Sequence, residues 1–175
     1  MQVKVLALDP SKGSDSNRGD YSAFVRLGVD RQGVLYVQAD MARRPTPQIV
    51  ADWVEHYSQF RPHAFGVEAN AYQDLLGTAL AEEFQRQGML GVPVSLIRND
   101  ANKPVRIRRL GPYLSGRRVR MKSDCASTRL LVHQLEEFPV GDHDDGPDAL
   151  EMAVRLAAEM LAPLYDDGWG KRLRV

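Results

Sequence analysis

The stretch that most constrains the fold is VKVLALDP, residues 3–10. Its aliphatic and β-branched side chains predict a buried strand. The strand should end at Asp9, because Pro10 and a polar loop over residues 11–19 follow at once. A carboxylate at the end of a core strand is unfavourable unless a cation compensates it. Asp9 is therefore either a residue that caps a loop or a ligand of a metal ion.

The rest of the chain predicts an α/β fold. Two more strands, over residues 20–29 and 34–40, are joined by a turn at Gly33 and should form an antiparallel meander with the first. Strands and helices then alternate. The predicted strands cover residues 64–68 and 92–97, and a short extended piece covers 118–122. The predicted helices are one from 46 (Thr46 as its cap), one over 73–87, one over 102–114 interrupted at 111–112, one over 124–137 (Asp124 as its cap) and one over 147–161. This order predicts a mixed five-stranded sheet, three antiparallel strands and then two parallel ones, flanked by helices. One domain should cover residues 1–162, and residues 163–175 should form a tail.

Composition excludes several classes of protein. The single cysteine, Cys125, excludes an intramolecular disulfide and fits a reducing compartment. The apolar runs are too short to span a membrane, and the amino terminus has no signal-peptide pattern. The chain contains no G-x-x-x-x-G-K-[ST] motif, so it has no P-loop ATPase of its own. We therefore expect a cytoplasmic protein with no membrane partner.

Acidic residues mark three places in the predicted fold. Glu68 ends the fourth strand as Asp9 ends the first, and an acidic cluster over residues 142–148 leads into the last helix. Acids at a helix start are favoured by the helix dipole, which is the ordinary explanation of such a cluster. Four aspartates in seven residues exceed what capping needs, however, and they repel one another unless a cation lies among them. Oxygen ligands favour Mg²⁺ or Mn²⁺ over zinc.

Basic residues are concentrated in one segment. Nine lie between residues 98 and 122, where only Asp100 is acidic, although the whole chain has a net charge of +0. Such a segment is either a solvated helix face or a surface for a polyanion, and we expect it to contact the DNA backbone. The aromatic residues fall at core spacing and form no stacking platform for single strands. The residues expected to contact DNA are Lys103, Arg106, Arg109, Arg117 and Arg118.

Four short motifs in a fixed order resemble the nuclease domain of the phage terminase large subunit. They are VLALDP (5–10), GVE (66–68), FP (138–139) and HDDGPDAL (143–150), and DYSA (20–23) extends the likeness. The resemblance implies an RNase H-like fold that cuts double-stranded DNA during genome packaging with two divalent ions. By this pattern the metal-binding and catalytic residues are Asp9, which bridges both ions, Glu68, Asp145 and Asp148.

The choice among the acids before the last helix rests on a further resemblance. RuvC-like junction resolvases also end in D-x-x-D-A-L, which favours Asp145 with Asp148 over Asp144. Asp144 and His143 would then lie behind the ligands, with His143 either an ordinary loop residue or a proton shuttle.

The resemblance also predicts partners. A terminase large subunit carries an ATPase motor, so we expect a motor or packaging machinery in cis or in trans, in the cytoplasm of a bacterial host cell. The chain would then be an excised domain or a standalone relative. Two alternatives stay open: a RuvC-like nuclease specific for branched DNA, and a non-catalytic nucleic-acid-binding module.

Overall fold

The computed structural model of the chain describes residues 1–10, 21–72, 76–89, 91–99 and 101–166. The strands are β1 (Val3–Asp9), β2 (Ser22–Val29), β3 (Leu35–Ala42), β4 (Ala64–Glu68), β5 (Val94–Ile97) and β6 (Val119–Met121). The helices are α1 (Thr46–Phe60), α2 (Ala69–Ala71), α3 (Gly77–Arg86), α4 (Lys103–Arg108), α5 (Gly111–Ser115), α6 (Ala126–Glu137) and α7 (Asp145–Asp166). The predicted loop over 11–19, Asp20, Gln73, Asp100 and the end of the tail lie outside the described residues.

The strands form one mixed sheet in the order β5-β4-β1-β2-β3-β6. β1 to β3 are the predicted antiparallel meander, and β4 lies parallel to β1 on its other side, followed by β5. β6 corrects the predicted count of five strands to six, since it pairs parallel with β3 at the sheet edge. The sequence predicts a short extended piece over residues 118–122, but three residues are too few to carry a periodic signal that would assign it to the sheet.

Alternating side chains of the central strands supply two hydrophobic cores, as the period of a strand requires. One face carries Val5, Ala7 and Val25 and packs against α4, α6 and α7. The opposite face carries Leu6, Leu8 and Phe24 and packs against α1 and α3. The central strands are thus covered on both faces, which explains why β1 is apolar almost throughout.

Several predicted helix boundaries need correction. α7 begins at Asp145, two residues before Pro147, and continues to Asp166. α6 begins at Ala126, with Cys125 rather than Asp124 at the cap position. Pro45, not Thr46, precedes α1. The interruption near residue 111 is present, because α4 ends at Arg108 and α5 begins at Gly111.

Candidate functional site

Two carboxylates meet at the carboxyl ends of β1 and β4. Leu8 is in register with Val67, so Asp9 and Glu68 are the next residues on neighbouring parallel strands. Such strands lie ~4.8 Å apart. The Asp9 side chain is 15% exposed, and Glu68 is half-buried. The edge shared by parallel strands therefore brings these two predicted residues together.

The start of α7 supplies two more carboxylates. Asp145 is 7% exposed and Asp148 is 2% exposed, far less than helix-capping acids on a surface. The backbone N–H of Tyr21 donates to Asp145 Oδ2 at 3.2 Å, and the N–H of Asp148 donates to the Asp144 carbonyl at 2.9 Å. Asp145 is therefore fixed against the residue that precedes β2, and Asp148 lies in the first turn of α7.

Gly146 allows α7 to begin at this position. Its backbone N–H donates to Gln134 Oε1 at 2.9 Å. A Cβ at this position would lie 2.9 Å from that same oxygen, 2.9 Å from Leu131 Cδ1 and 3.0 Å from Met41 Cε. A larger residue here would have to displace side chains of α6 and β3, so glycine allows the close approach that sets where the acids of the first turn lie.

The four predicted carboxylates act on one another electrostatically. Burial raises the pKa of Asp9 well above its ordinary value, and the negative charge of Asp148 raises it further. Asp145 and Glu68 act in the same direction, and Lys103 opposes them. Acids on β4 and α7 therefore act on the same carboxyl group, that of Asp9 at the end of β1.

A lysine ammonium lies among these acids. Lys103 Nζ is 2.8 Å from Asp144 Oδ1, 3.3 Å from Asp148 Oδ2 and 3.9 Å from Asp9 Oδ2. Burial alone would lower the pKa of Lys103, but these three carboxylates outweigh it and raise the pKa above its ordinary value. Lys103, predicted as a DNA contact, thus provides the cation that the acidic cluster requires.

The donor atoms and the negative charge of the site suit divalent ions, but the spacing of its carboxylates does not. All its acidic donors are carboxylate oxygens, which favour Mg²⁺ or Mn²⁺. Within the part of the chain that the structure describes, no three His, Cys, Asp or Glu side chains are grouped closely enough to hold one ion. The ammonium of Lys103 lies between the acids that would have to converge.

Arg106 has a different place from the one predicted. It is 4% exposed, and its guanidinium binds Asp148 through Nη1 at 2.5 Å and Nη2 at 3.2 Å. Nη1 is also 3.3 Å from Glu151 Oε2. Arg106 is therefore an internal partner of α7 and not part of an exposed phosphate-binding surface.

Glu151 is a site residue that the sequence analysis missed. It is 2% exposed, one turn beyond Asp148 on α7, and it also lies 3.3 Å from Arg155. The available signal was its spacing, because residues three apart on a helix share a face. Glu151 helps to hold the arginine that grips Asp148.

The other predicted DNA contacts lie further from the acids. Arg109 is 55% exposed and 3.9 Å from Glu151. Arg117 and Arg118 are exposed and immediately precede β6, beside the first residue of β3. Because β6 runs parallel to β1 three strands away, this is the end of the sheet opposite to Asp9. Strand geometry separates the two places by ~20 Å along the strands and ~14 Å across them.

His143 lies beside the acids and contacts Tyr21 and Asp145. Its ring packs edge-on against Tyr21 at a centroid distance of 5.3 Å, and Nδ1 is 3.9 Å from Asp145 Oδ2. Asp144 accepts the hydrogen bond from Lys103, and Asp142 is exposed. In the acidic cluster over residues 142–148, Asp142 therefore faces solvent and the other acids face the site.

The family model of the terminase RNaseH-like domain matches residues 6–156. This chain belongs to that family. The matched range spans β1, β4 and the first half of α7, so the acidic site lies within the family domain. A search of curated protein sequences found no match.

Solved structures show the same fold. The large terminase of bacteriophage HK97 matches with a TM-score of 0.62 at 15% identity, over 87% of this chain and 39% of the HK97 chain. The large terminase nuclease of the thermophilic phage G20c matches with a TM-score of 0.57 at 15% identity, over 89% of this chain and 83% of the G20c chain. Fowlpox virus resolvase, in complex with its substrate Holliday junction DNA, matches with a TM-score of 0.53 at 7% identity, over 90% of this chain and 99% of the resolvase chain. The terminase domain described here thus has the RNase H-like α/β fold and spans 39% of the HK97 large terminase.

Among the described residues of this terminase domain, no helix is both long and apolar enough to cross a membrane.

Proposed function

We propose that this domain is a metal-dependent endonuclease that cleaves double-stranded DNA as the nuclease part of a packaging terminase. The observation that carries the proposal is that acids from the end of β1 and the start of α7 surround the ammonium of Lys103, while Glu68 ends the strand beside β1. Membership of the terminase family supports the reaction, and the HK97 and G20c terminases support the fold.

Asp9, Glu68, Asp145 and Asp148 are the residues that we propose to hold two Mg²⁺ or Mn²⁺ ions, with Asp9 between them. When bound, such ions activate a water molecule and stabilise the charge that develops on the leaving oxygen. The carboxylates supply negative charge only when ionised. Asp144 is the alternative to Asp145 or Asp148, because it too contacts Lys103. His143, which lies 3.9 Å from Asp145, is proposed to orient that carboxylate.

The DNA contacts divide into two groups. Lys103 lies at the acids and Arg109 is exposed nearby, so both are suited to phosphates close to the cleaved bond. Arg117 and Arg118 are exposed at the opposite end of the sheet, where they are suited to a second part of a bound duplex. Each such contact should make binding weaker at high salt, since it releases counterions from DNA. Arg106 is left out of this surface because it is buried.

The packaging role requires an ATPase motor. The chain contains no P-loop motif and spans 39% of the HK97 large terminase. We therefore propose that a motor acts together with this domain, in cis or in trans, in the cytoplasm of a bacterial host.

Plasmid nicking tests the proposal. We expect the wild-type domain to nick supercoiled DNA with Mn²⁺ and to stop when EDTA is added. Asp9→Asn should abolish nicking with an unchanged circular dichroism spectrum. Asp124→Asn is the matched control, because Asp124 is exposed and immediately precedes the cap of α6. Full activity of the Asp9 variant would remove Asp9 from the reaction.

Cleavage of branched DNA is a second candidate function, favoured by the fold shared with fowlpox virus resolvase. Cleavage rates on a linear duplex and on a four-way junction of the same sequence distinguish the two. A strong preference for the junction would favour a resolvase. Absence of both nicking and Mn²⁺ binding would instead favour a non-catalytic DNA-binding module.

A further inference from the structure

The two cations of α4 that face α7 are held in different ways. Arg106 is 4% exposed and lies against two carboxylates that are each 2% exposed. The Lys103 side chain is 35% exposed, although its ammonium contacts three carboxylates from β1 and from the start of α7. Lysine has a compact charge on a flexible stem, whereas arginine binds with a rigid fork. Lys103 can therefore leave the site without opening the core, and Arg106 cannot.

We propose that the ammonium of Lys103 is an internal counter-ion that holds the acidic site together without metal and is displaced when a divalent ion binds. This inference rests on the proposed metal-dependent function. It assigns Lys103 a role in metal binding in addition to the DNA contact expected from its charge.

The distances give the first reason. An ammonium 2.8–3.9 Å from Asp144, Asp148 and Asp9 occupies the space in which those oxygens would have to meet an ion. A lysine cation and a divalent ion at this place would repel each other strongly, because like charges only a few ångströms apart are poorly screened inside a protein. Either cation satisfies the carboxylates, so binding of one should release the other.

The backbone gives the second reason. Lys103 is the first residue of α4, and the side chain of Asn102 caps this helix by accepting from the N–H of Val105 at 3.2 Å. Arg106, one turn later, anchors the same helix to Asp148 and Glu151. The helix can therefore stay in place while only the Lys103 side chain rotates towards solvent, where it would meet a phosphate of the bound DNA.

Titration calorimetry with Mn²⁺ alone tests the displacement. Lys103→Gln should bind Mn²⁺ about five- to tenfold more tightly than the wild type, because a partly exposed ion pair no longer competes. Lys103→Arg keeps the charge and should bind Mn²⁺ no more tightly than the wild type, because the guanidinium still competes for the carboxylates. Lys122→Gln is the matched control, since Lys122 is exposed and follows the edge strand β6. In EDTA, Lys103→Gln should also unfold at a lower temperature than Lys122→Gln, because its carboxylates have lost their counter-ion.

Lysine acetylation gives an independent readout that needs no mutation. Brief labelling with an acetylating reagent, followed by peptide mass spectrometry, compares Lys103 with Lys122 in the wild-type protein. The proposal expects Mn²⁺ to increase the labelling of Lys103 relative to that of Lys122. Labelling of Lys103 that stays equal or falls when Mn²⁺ binds would overturn it.

Failure of the counter-ion role and failure of the metal-dependent function give different results. If the wild type binds no Mn²⁺ at millimolar concentration, both the metal-dependent function and the counter-ion role are wrong. If the wild type binds Mn²⁺ and Lys103→Gln binds it no more tightly, only the counter-ion role is wrong.

Discussion

Replacing Arg106 by methionine tests the internal charge cluster that supports the site. Arg106 grips Asp148 with both terminal nitrogens and reaches Glu151 at 3.3 Å. Its exposure is 4%, and that of each carboxylate is 2%. Methionine keeps much of the volume but removes the charge, so two buried carboxylates would lose a shared partner.

The expected loss of stability is large. At 3.3 Å, the distance between Arg106 and Glu151, a charge pair interacts by about 5 kcal/mol at an effective dielectric of 20. Removing one partner of a buried pair typically costs about 3–5 kcal/mol, because the remaining charge stays desolvated. For a domain of this size, that corresponds to a decrease of roughly 6–20 °C in Tm.

Arg109→Met is the matched control. Arg109 lies on the same segment and faces the same Glu151, but its side chain is 55% exposed and the distance is 3.9 Å. An exposed pair of this kind contributes about 0–1 kcal/mol. Urea and thermal unfolding of the two variants in EDTA should therefore differ by several kcal/mol.

A further variant identifies the cause. Adding Asp148→Asn and Glu151→Gln to Arg106→Met should recover most of the stability, since no buried charge remains. If Arg106→Met is no more destabilising than Arg109→Met, the cluster does not hold α4 to α7 and our reasoning is refuted.

Three other perturbations have a defined sign. Asp9→Asn should raise the stability of the metal-free protein at pH 7.5 by about 0.5–2 kcal/mol. Because the pKa of Asp9 is raised in the fold, its ionised form opposes folding, and the gain should vanish below the ordinary Asp pKa. A gain in thermal stability that stays constant with pH would contradict this reason. Gly146→Ala should lower the free energy of unfolding in urea by about 1–3 kcal/mol, because the new Cβ would lie 2.9 Å from Gln134 Oε1. An unchanged urea midpoint would mean that α7 has room to shift. A hydrogen bond from His56 lowers the pKa of Asp40 to about 2, so its ionised form stabilises the fold above the ordinary Asp pKa and that contribution is lost as the pH falls to about 2. Since the Asp40 side chain is 37% exposed, Asp40→Asn should cost only about 1 kcal/mol at pH 7 and clearly less at pH 2, and an equal cost at both values would exclude the ionic origin.

Local pattern was sufficient for the centre of this fold. The apolar run of β1 and the turn at Gly33 predict the meander, and both are present in the sheet. Once β1 and β4 are predicted to be parallel, Asp9 and Glu68 must share an edge, because parallel strands end on the same side. The position of two acids therefore followed from periodicity and from the direction of the chain.

Charge content was not sufficient to place the basic residues. Arg106 and Arg109 lie three positions apart, yet the first is 4% exposed and the second has a side chain that is 55% exposed. Arg117 and Arg118 belong to the same basic segment but lie at the other end of the sheet. A count of positive charges carries no information about which of them the packing of a helix will bury.

The sequence by itself determined the meander of β1 to β3 and the acids that end β1 and β4, because these depend on residue spacing along short stretches. Only the tertiary structure decided that Lys103 lies among those acids and that Arg106 is bound to Asp148, 42 positions later in the chain. Pairing across such a distance depends on how α4 and α7 approach each other over the sheet. That approach is the sum of many packing contacts, and no local pattern of residues encodes it.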